Sequence, residues 1–165
     1  MEVSFALSYK EGNEIRVSLS SFTEAAIPDL IGDLGDCEIV EISLIRQSGD
    51  ETADIITLSK VVERIGKFIV ENPHVILYYY CDEMNEIPGM RATRDISSPE
   101  YRNHLFSLLY SKGSRQFPEL HIVDMPIVFI GDDHTTFIHL IYREDLQDKA
   151  DIIKDYLNDI AEGVK

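Results

Sequence analysis

The sequence contains no tryptophan, only two cysteines and half as many basic as acidic residues. Fifteen Lys and Arg stand against thirty Asp and Glu, which gives a formal net charge of −15. A field of this sign repels phosphate backbones and anionic lipids, so we expect neither nucleic acid nor membrane as a partner. A basic or neutral partner fits this charge better.

Long hydrophobic runs are also absent, and none approaches the roughly 20 apolar residues that cross a bilayer. The first ten residues, MEVSFALSYK, alternate between apolar and polar as in a strand, so we expect no signal peptide. Cys37 and Cys81 lie far apart and form no CxxC pair. These absences predict a soluble, cytoplasmic protein whose two cysteines are buried free thiols.

Motifs for catalysis, nucleotides and metals are missing as well: no GxSxG, P-loop, GxGxxG, HExxH or EF-hand loop occurs. We therefore expect no catalytic residue, no metal site and no cofactor. Asp132-Asp133 is typical of a hairpin turn, and His139, between Phe137 and Ile141, is typical of a core or interface histidine rather than a ligand.

The length of 165 residues and the apolar fraction of 44% predict a single domain over residues 1–165. Alternation and apolar runs predict strands at 2–9, 14–20, 38–45, 74–81, 120–130 and 135–142. Three- and four-residue spacing and capping signals predict helices at 54–72, 97–113 and 145–161. The segment 21–36 resembles a loop with a short helical turn, and Pro126 is expected to force a bulge or break.

This order, β-β-β-α-β-α-β-β-α, has hairpins at both ends and helices between them. It predicts an α+β fold: a mostly antiparallel sheet of about six strands, with helices packed mainly on one face.

Three consecutive tyrosines occupy the fourth predicted strand, in ILYYYCDEM. Strand alternation places Tyr79 on one face with Leu77 and Cys81, and Tyr78 and Tyr80 on the other. If helices cover only the first face, Tyr78 and Tyr80 lie on the open one. They either fill a central strand with their hydroxyls reaching water, or form an aromatic platform for a partner.

A long loop, residues 82–97, follows this strand. Positive charge is concentrated between residues 91 and 115, which include the end of this loop. One interpretation is a small-anion pocket near a helix N-terminus, with Arg91, Arg94 and Arg102 as a clamp and Asp82 or His104 as acid or base. The other is that these arginines pair with the abundant carboxylates of the chain.

The last predicted helix carries acidic residues along one stripe. The stripe includes Asp148, Asp151, Asp155 and Asp159. Like charges at this spacing repel one another, so the stripe does not help the helix to form. It is either a solvated face or a docking surface for a basic partner.

Several segments together resemble a family of small α+β proteins found mainly in Bacteroidetes. These are the hairpin VSFALSYKEGNEIRVSLSSF, the strand end VILYYYCDEM, the helix motif YRNHLFSLLY and the closing apolar strands before an acidic helix. The resemblance spans most of the chain and implies an α+β fold in a bacterial cytoplasm. The family has no established activity to transfer.

Two functions remain open from the sequence. The first is a non-catalytic, cytoplasmic binding or protein-interaction domain, self-associating or docking a protein partner through an open sheet face or edge. The alternative is an enzyme or sensor for a small anion that uses the arginine-bearing segment 91–115.

Overall fold

The computed structural model describes residues 2–8, 14–21, 28–48, 55–81, 107–108, 110–130 and 135–161. Within these ranges six strands and four helices follow one another, with 3₁₀ turns at Pro118–Leu120 and Glu144–Leu146. The elements are β1 (Glu2–Ser8), β2 (Glu14–Ser21), α1 (Pro28–Leu34), β3 (Glu38–Ser48), α2 (Ile55–Glu71), β4 (Val75–Cys81), α3 (residues 107–108 and 110–116), β5 (Ile122–Ile130), β6 (Thr135–Arg143) and α4 (Gln147–Ala161). None of these helices is long and apolar enough to cross a bilayer.

The six strands form one open sheet in the order β1-β2-β3-β4-β6-β5. Every neighbouring pair is antiparallel except β3 and β4, which are parallel. A parallel pair needs a crossover connection, and α2 supplies it. The predicted α+β class and mostly antiparallel sheet are therefore confirmed.

Two apolar layers cover the sheet, one on each face. On the first face, Val40 and Leu77 of the sheet pack in one cluster with Val62 and Ile69 of α2, and Tyr110 of α3 packs against it. We call this the α2–α3 face. On the second, Ile76 and Leu140 pack in one cluster with Leu34 of α1 and Ile153 of α4, and we call this the α1–α4 face.

The expectation that helices pack mainly on one face is wrong. Ile76 and Leu77 are consecutive in β4 and both are fully buried, as are Leu140 and its neighbour His139 in β6. Central strands that are apolar on both faces need cover on both, as in sheets enclosed between two helical layers. The helices α1 and α4 provide the second layer.

Helix α1 lies in the segment predicted as a loop with a short helical turn. Leu30 and Leu34 of α1, four residues apart, are both buried. They pack in the same cluster as Ile39 of β3. Gly35 follows the last helical residue with a φ of 64°, the left-handed conformation that commonly ends a helix and that glycine adopts without strain.

Candidate interaction site at the open sheet edge

Strand β5 lies at one edge of the sheet. It pairs with β6 on one side, and none of the described strands pairs with it on the other. Its sequence, IVDMPIVFI, carries a single charged residue, Asp124. Edge strands present unpaired N–H and C=O groups, and natural proteins protect them with charges, prolines or cover. The local structure of β5 decides how much of this edge is protected.

The one charge of β5 points onto the α2–α3 face and is paired there. Oδ1 of Asp124 lies 2.8 Å from Nδ1 of His139, on the neighbouring strand β6. An ionised carboxylate only accepts hydrogen bonds, so this contact places a proton on His139 Nδ1. The exposed fraction of His139 is only 1%, so it is the core histidine that the sequence indicates. The carboxylate of Asp124 is therefore hydrogen-bonded to another strand of the same sheet.

Pro126 leaves the ladder intact, contrary to the expected bulge or break. The β5–β6 register is continuous from Ile122 to Ile130, with Pro126 opposite His139. A proline nitrogen cannot donate to a ladder, so an unbroken register requires that it face away from β6. An edge strand is the one place in a sheet that permits this geometry.

The orientation of Pro126 also fixes which backbone groups face the open edge. In an antiparallel pair, every second residue directs both its N–H and C=O away from the partner. Ile122, Val128 and Ile130 lie an even number of residues from Pro126. Their backbone N–H and C=O groups therefore also point away from β6, towards the open edge. Tyr110 Oη donates to the Ile122 carbonyl at 3.0 Å, which protects the start of the edge. The backbone at Val128 and Ile130 has no such described cover.

The side chains at this end of β5 are apolar and exposed. Val128 is 50% exposed and Ile130 is 85% exposed. Pro126 to Ile130 therefore combine outward-facing backbone groups, exposed aliphatic side chains and no charge, and we call this segment the β5 edge. Among these residues the sequence drew attention only to Pro126, as an expected bulge or break, although a proline within an apolar run is also a signal of an edge strand.

The tyrosines alternate between the two faces as predicted. Tyr79 is buried on the α2–α3 face, whereas Tyr78 packs against the core of the α1–α4 face. Because α1 and α4 cover that face, it is not open at Tyr78; Tyr80, one step further along the strand, is exposed. The partner-binding role of Tyr78 and Tyr80 stays a prediction.

The acidic stripe of α4 is exposed, as the helical spacing indicates. Asp148, Asp151, Asp155 and Asp159 are all exposed. They lie on the opposite side of the helix from Ala150 and Ile153, which are buried against the sheet. Docking of a basic partner on this stripe stays a prediction.

The residues of the predicted anion pocket lie outside the described residues. They are Asp82, Arg91, Arg94, Arg102 and His104, together with the loop 82–97. The pocket therefore stays a prediction. Among the described residues, no group of three or more His, Cys, Asp or Glu is arranged to hold a metal ion. Burial raises the pKa of the Cys37 thiol to about 11, which keeps it protonated and unreactive near neutral pH.

Comparisons with protein-family models, with curated proteins and with solved structures gave no match to this chain.

Proposed function

We propose that this protein is a non-catalytic interaction domain of the cytoplasm that forms a homodimer by pairing the β5 edges of two copies. The observation that carries the proposal is the β5 edge, where Ile130 is 85% exposed on a strand whose only charge is paired with His139. The reducing cytoplasm suits the buried free thiol of Cys37.

The positions of Pro126, Val128 and Ile130 define one register for the pairing. Two antiparallel β5 strands related by a two-fold axis meet with Val128 opposite Val128 of the second copy. The backbone N–H of each Val128 then donates to the backbone carbonyl of the other Val128. Ile130 N–H donates to the Pro126 carbonyl across the interface, and Pro126 returns no bond. The same segment of both copies thus forms both sides of the interface, as two-fold symmetry requires.

The uncharged β5 edge is the part of the surface on which a second copy meets the least repulsion. The chain carries a net charge of −15, so two copies repel each other over most of their surfaces. From Pro126 to Ile130 the paired strands bring no charged side chains together. A basic partner, by contrast, has no free charge to recognise on this edge, because Asp124 already binds His139.

Sedimentation equilibrium of Val128→Asp tests the proposal. Val128 is already half-buried, so pairing buries at most the other half of its side chain, worth about 0.75 kcal/mol. The symmetric interface loses two such contributions, so the dimer dissociation constant rises about tenfold. The opposed carboxylates add to this loss. Val70→Asp is the matched control, because Val70 on α2 is 49% exposed and lies outside the β5 edge. A monomeric wild-type protein at millimolar concentration, or equal effects of the two variants, would contradict the proposal.

The salt dependence distinguishes a second copy from a basic partner. Between like-charged copies, added salt screens the repulsion. The dissociation constant therefore falls as NaCl rises from about 50 to about 500 mM, over which the Debye length shortens from about 14 Å to about 4 Å. Binding of a basic partner weakens under the same change. A dimer that dissociates at high salt would show that charge attraction, and not the β5 edge, holds it together.

A further inference from the structure

The side chain of Tyr110, on α3, reaches the outward side of β5 at the first residue of the strand. Tyr110 Oη donates to the Ile122 carbonyl at 3.0 Å. This carbonyl points away from β6, as does every backbone group an even number of residues from Pro126. It is therefore one of the groups with which a further strand would pair, and the phenol hydroxyl competes with that strand for it.

The packing of α3 holds the Tyr110 hydroxyl in this place. The Tyr110 ring is half-buried against the core of the α2–α3 face. At the other end of α3, the Phe117 ring lies against Gly66 of α2, where any β-carbon would overlap the ring. The 3₁₀ turn Pro118–Leu120 then leads from α3 directly into β5. Moving the hydroxyl away from Ile122 would therefore disrupt apolar contacts of the core.

The hydroxyl affects the register that two β5 edges can adopt. With Val128 on the two-fold axis, Ile130 of the second copy lies opposite Pro126, and the pairing stops short of Ile122. With Pro126 on the axis, the overlap is longer and Ile130 of the second copy lies opposite Ile122. This longer register would form about twice as many backbone hydrogen bonds. It requires the Ile122 carbonyl to accept from the second copy, and Tyr110 already donates to that carbonyl.

We infer that Tyr110 is a specificity-determining residue of the β5 edge, which excludes the longer register and so selects the one with Val128 on the axis. The inference rests on the proposed dimer and adds what limits its pairing. Natural proteins protect edge strands with a covering helix or loop, and Tyr110 extends such protection from α3 to the start of β5. The strand is thus closed to pairing at Ile122 and open from Pro126 onwards.

Hydrogen exchange of single β5 amides in Tyr110→Phe tests the inference. At a concentration that pairs about nine-tenths of the wild-type chains, the Val128 and Ile130 amides exchange about tenfold more slowly than in dilute protein. The Ile122 amide exchanges equally fast at both concentrations. In Tyr110→Phe the Ile122 carbonyl is released, and we expect the Ile122 amide to slow about tenfold on pairing as well. The matched control is Tyr142→Phe, which removes a hydroxyl on the α1–α4 face and leaves the wild-type pattern unchanged.

Tyr110→Phe is expected to fold, because it keeps the ring that packs against the core, and the amide spectrum verifies this independently of pairing. The inference is overturned if pairing slows the Ile122 amide in the wild type. It is also overturned if pairing slows Val128 and Ile130 but not Ile122 in Tyr110→Phe, and in both cases the proposed dimer stands. If no β5 amide of the wild type slows with concentration, the proposed dimer fails, and this inference fails with it.

Discussion

The two edge strands of the sheet are protected to very different degrees. On β1, Phe5 and Leu7 pack partly buried against the α2–α3 core. The Arg64 guanidinium lies 4.3 Å above the Phe5 ring. On the opposite side of β1, Arg16 donates to Ser4 Oγ at 3.2 Å. Cover and polar side chains thus protect this edge, and Val3 is its only large apolar residue that is exposed.

The β5 edge lacks most of these protections. It has no charged residue, and the one charge elsewhere on β5, at Asp124, is hydrogen-bonded to His139. Exposed aliphatic side chains stand at its end, at Val128 and Ile130. Pro126, which removes one outward N–H, is its remaining defence. The comparison teaches that the position of a strand at the edge of a sheet does not decide whether it can pair. What decides it is the charge and cover that the edge carries.

The largest effect is expected from removing the hydrogen-bond partner of Asp124 on β5. His139→Ala leaves Asp124 without its partner and opens a void beside Tyr79, so we expect a loss of about 3 kcal/mol in the free energy of unfolding. Urea denaturation at neutral pH measures it. The control is Glu63→Ala, which removes an exposed pair with Lys67 and costs at most about 0.5 kcal/mol. Similar losses in both variants would show that the buried pair is not special.

The next effect concerns the remaining defence of the β5 edge. Pro126→Ala restores an outward N–H in each copy, and by symmetry the dimer gains two hydrogen bonds. At about 1 kcal/mol each, these lower the dissociation constant about 30-fold. Pro118→Ala, at an exposed proline in a 3₁₀ turn, is the control and leaves dimerisation unchanged. Weaker dimerisation of Pro126→Ala would contradict the proposed register.

Much of the fold is predictable because its signals are local. The β1–β2 hairpin, the helix ended by Asn72-Pro73 and the apolar runs before and after residues 131–134 all follow from patterns within a few residues. Helix α2 ends at Glu71, directly before Asn72-Pro73, as predicted. The Asn72 side-chain amide donates to the Phe68 carbonyl at 2.8 Å at this end of the helix. Helix α1 is harder to predict, because two buried leucines four residues apart are too few to establish a period.

The site is not predictable in the same way, because it depends on strand order. The runs that form β5 and β6 are both apolar, and either one is able to pair with β4. The structure places β6 against β4, through contacts such as Tyr78 opposite Leu140, and this makes β5 the edge. The second helical layer is likewise a long-range outcome, since α1 and α4 contact each other although α1 ends at Leu34 and α4 begins at Gln147.

The smallest effect is expected at the protected edge. Arg64→Ala removes the cation above Phe5 and costs about 0.5–1 kcal/mol of unfolding free energy. Lys60→Ala, which removes an exposed cation one turn earlier on α2, controls for the change in charge.

The double variant Arg64→Ala with Phe5→Leu separates the ring contact from other contributions of Arg64. If the cation acts through the ring, Arg64→Ala costs little in the Phe5→Leu background, and the two single losses are not additive. Additive losses would mean that Arg64 stabilises the protein by other contacts. In that case β1 owes its protection to the burial of Phe5 and Leu7 against α2, and the difference between the two edges rests on apolar cover alone.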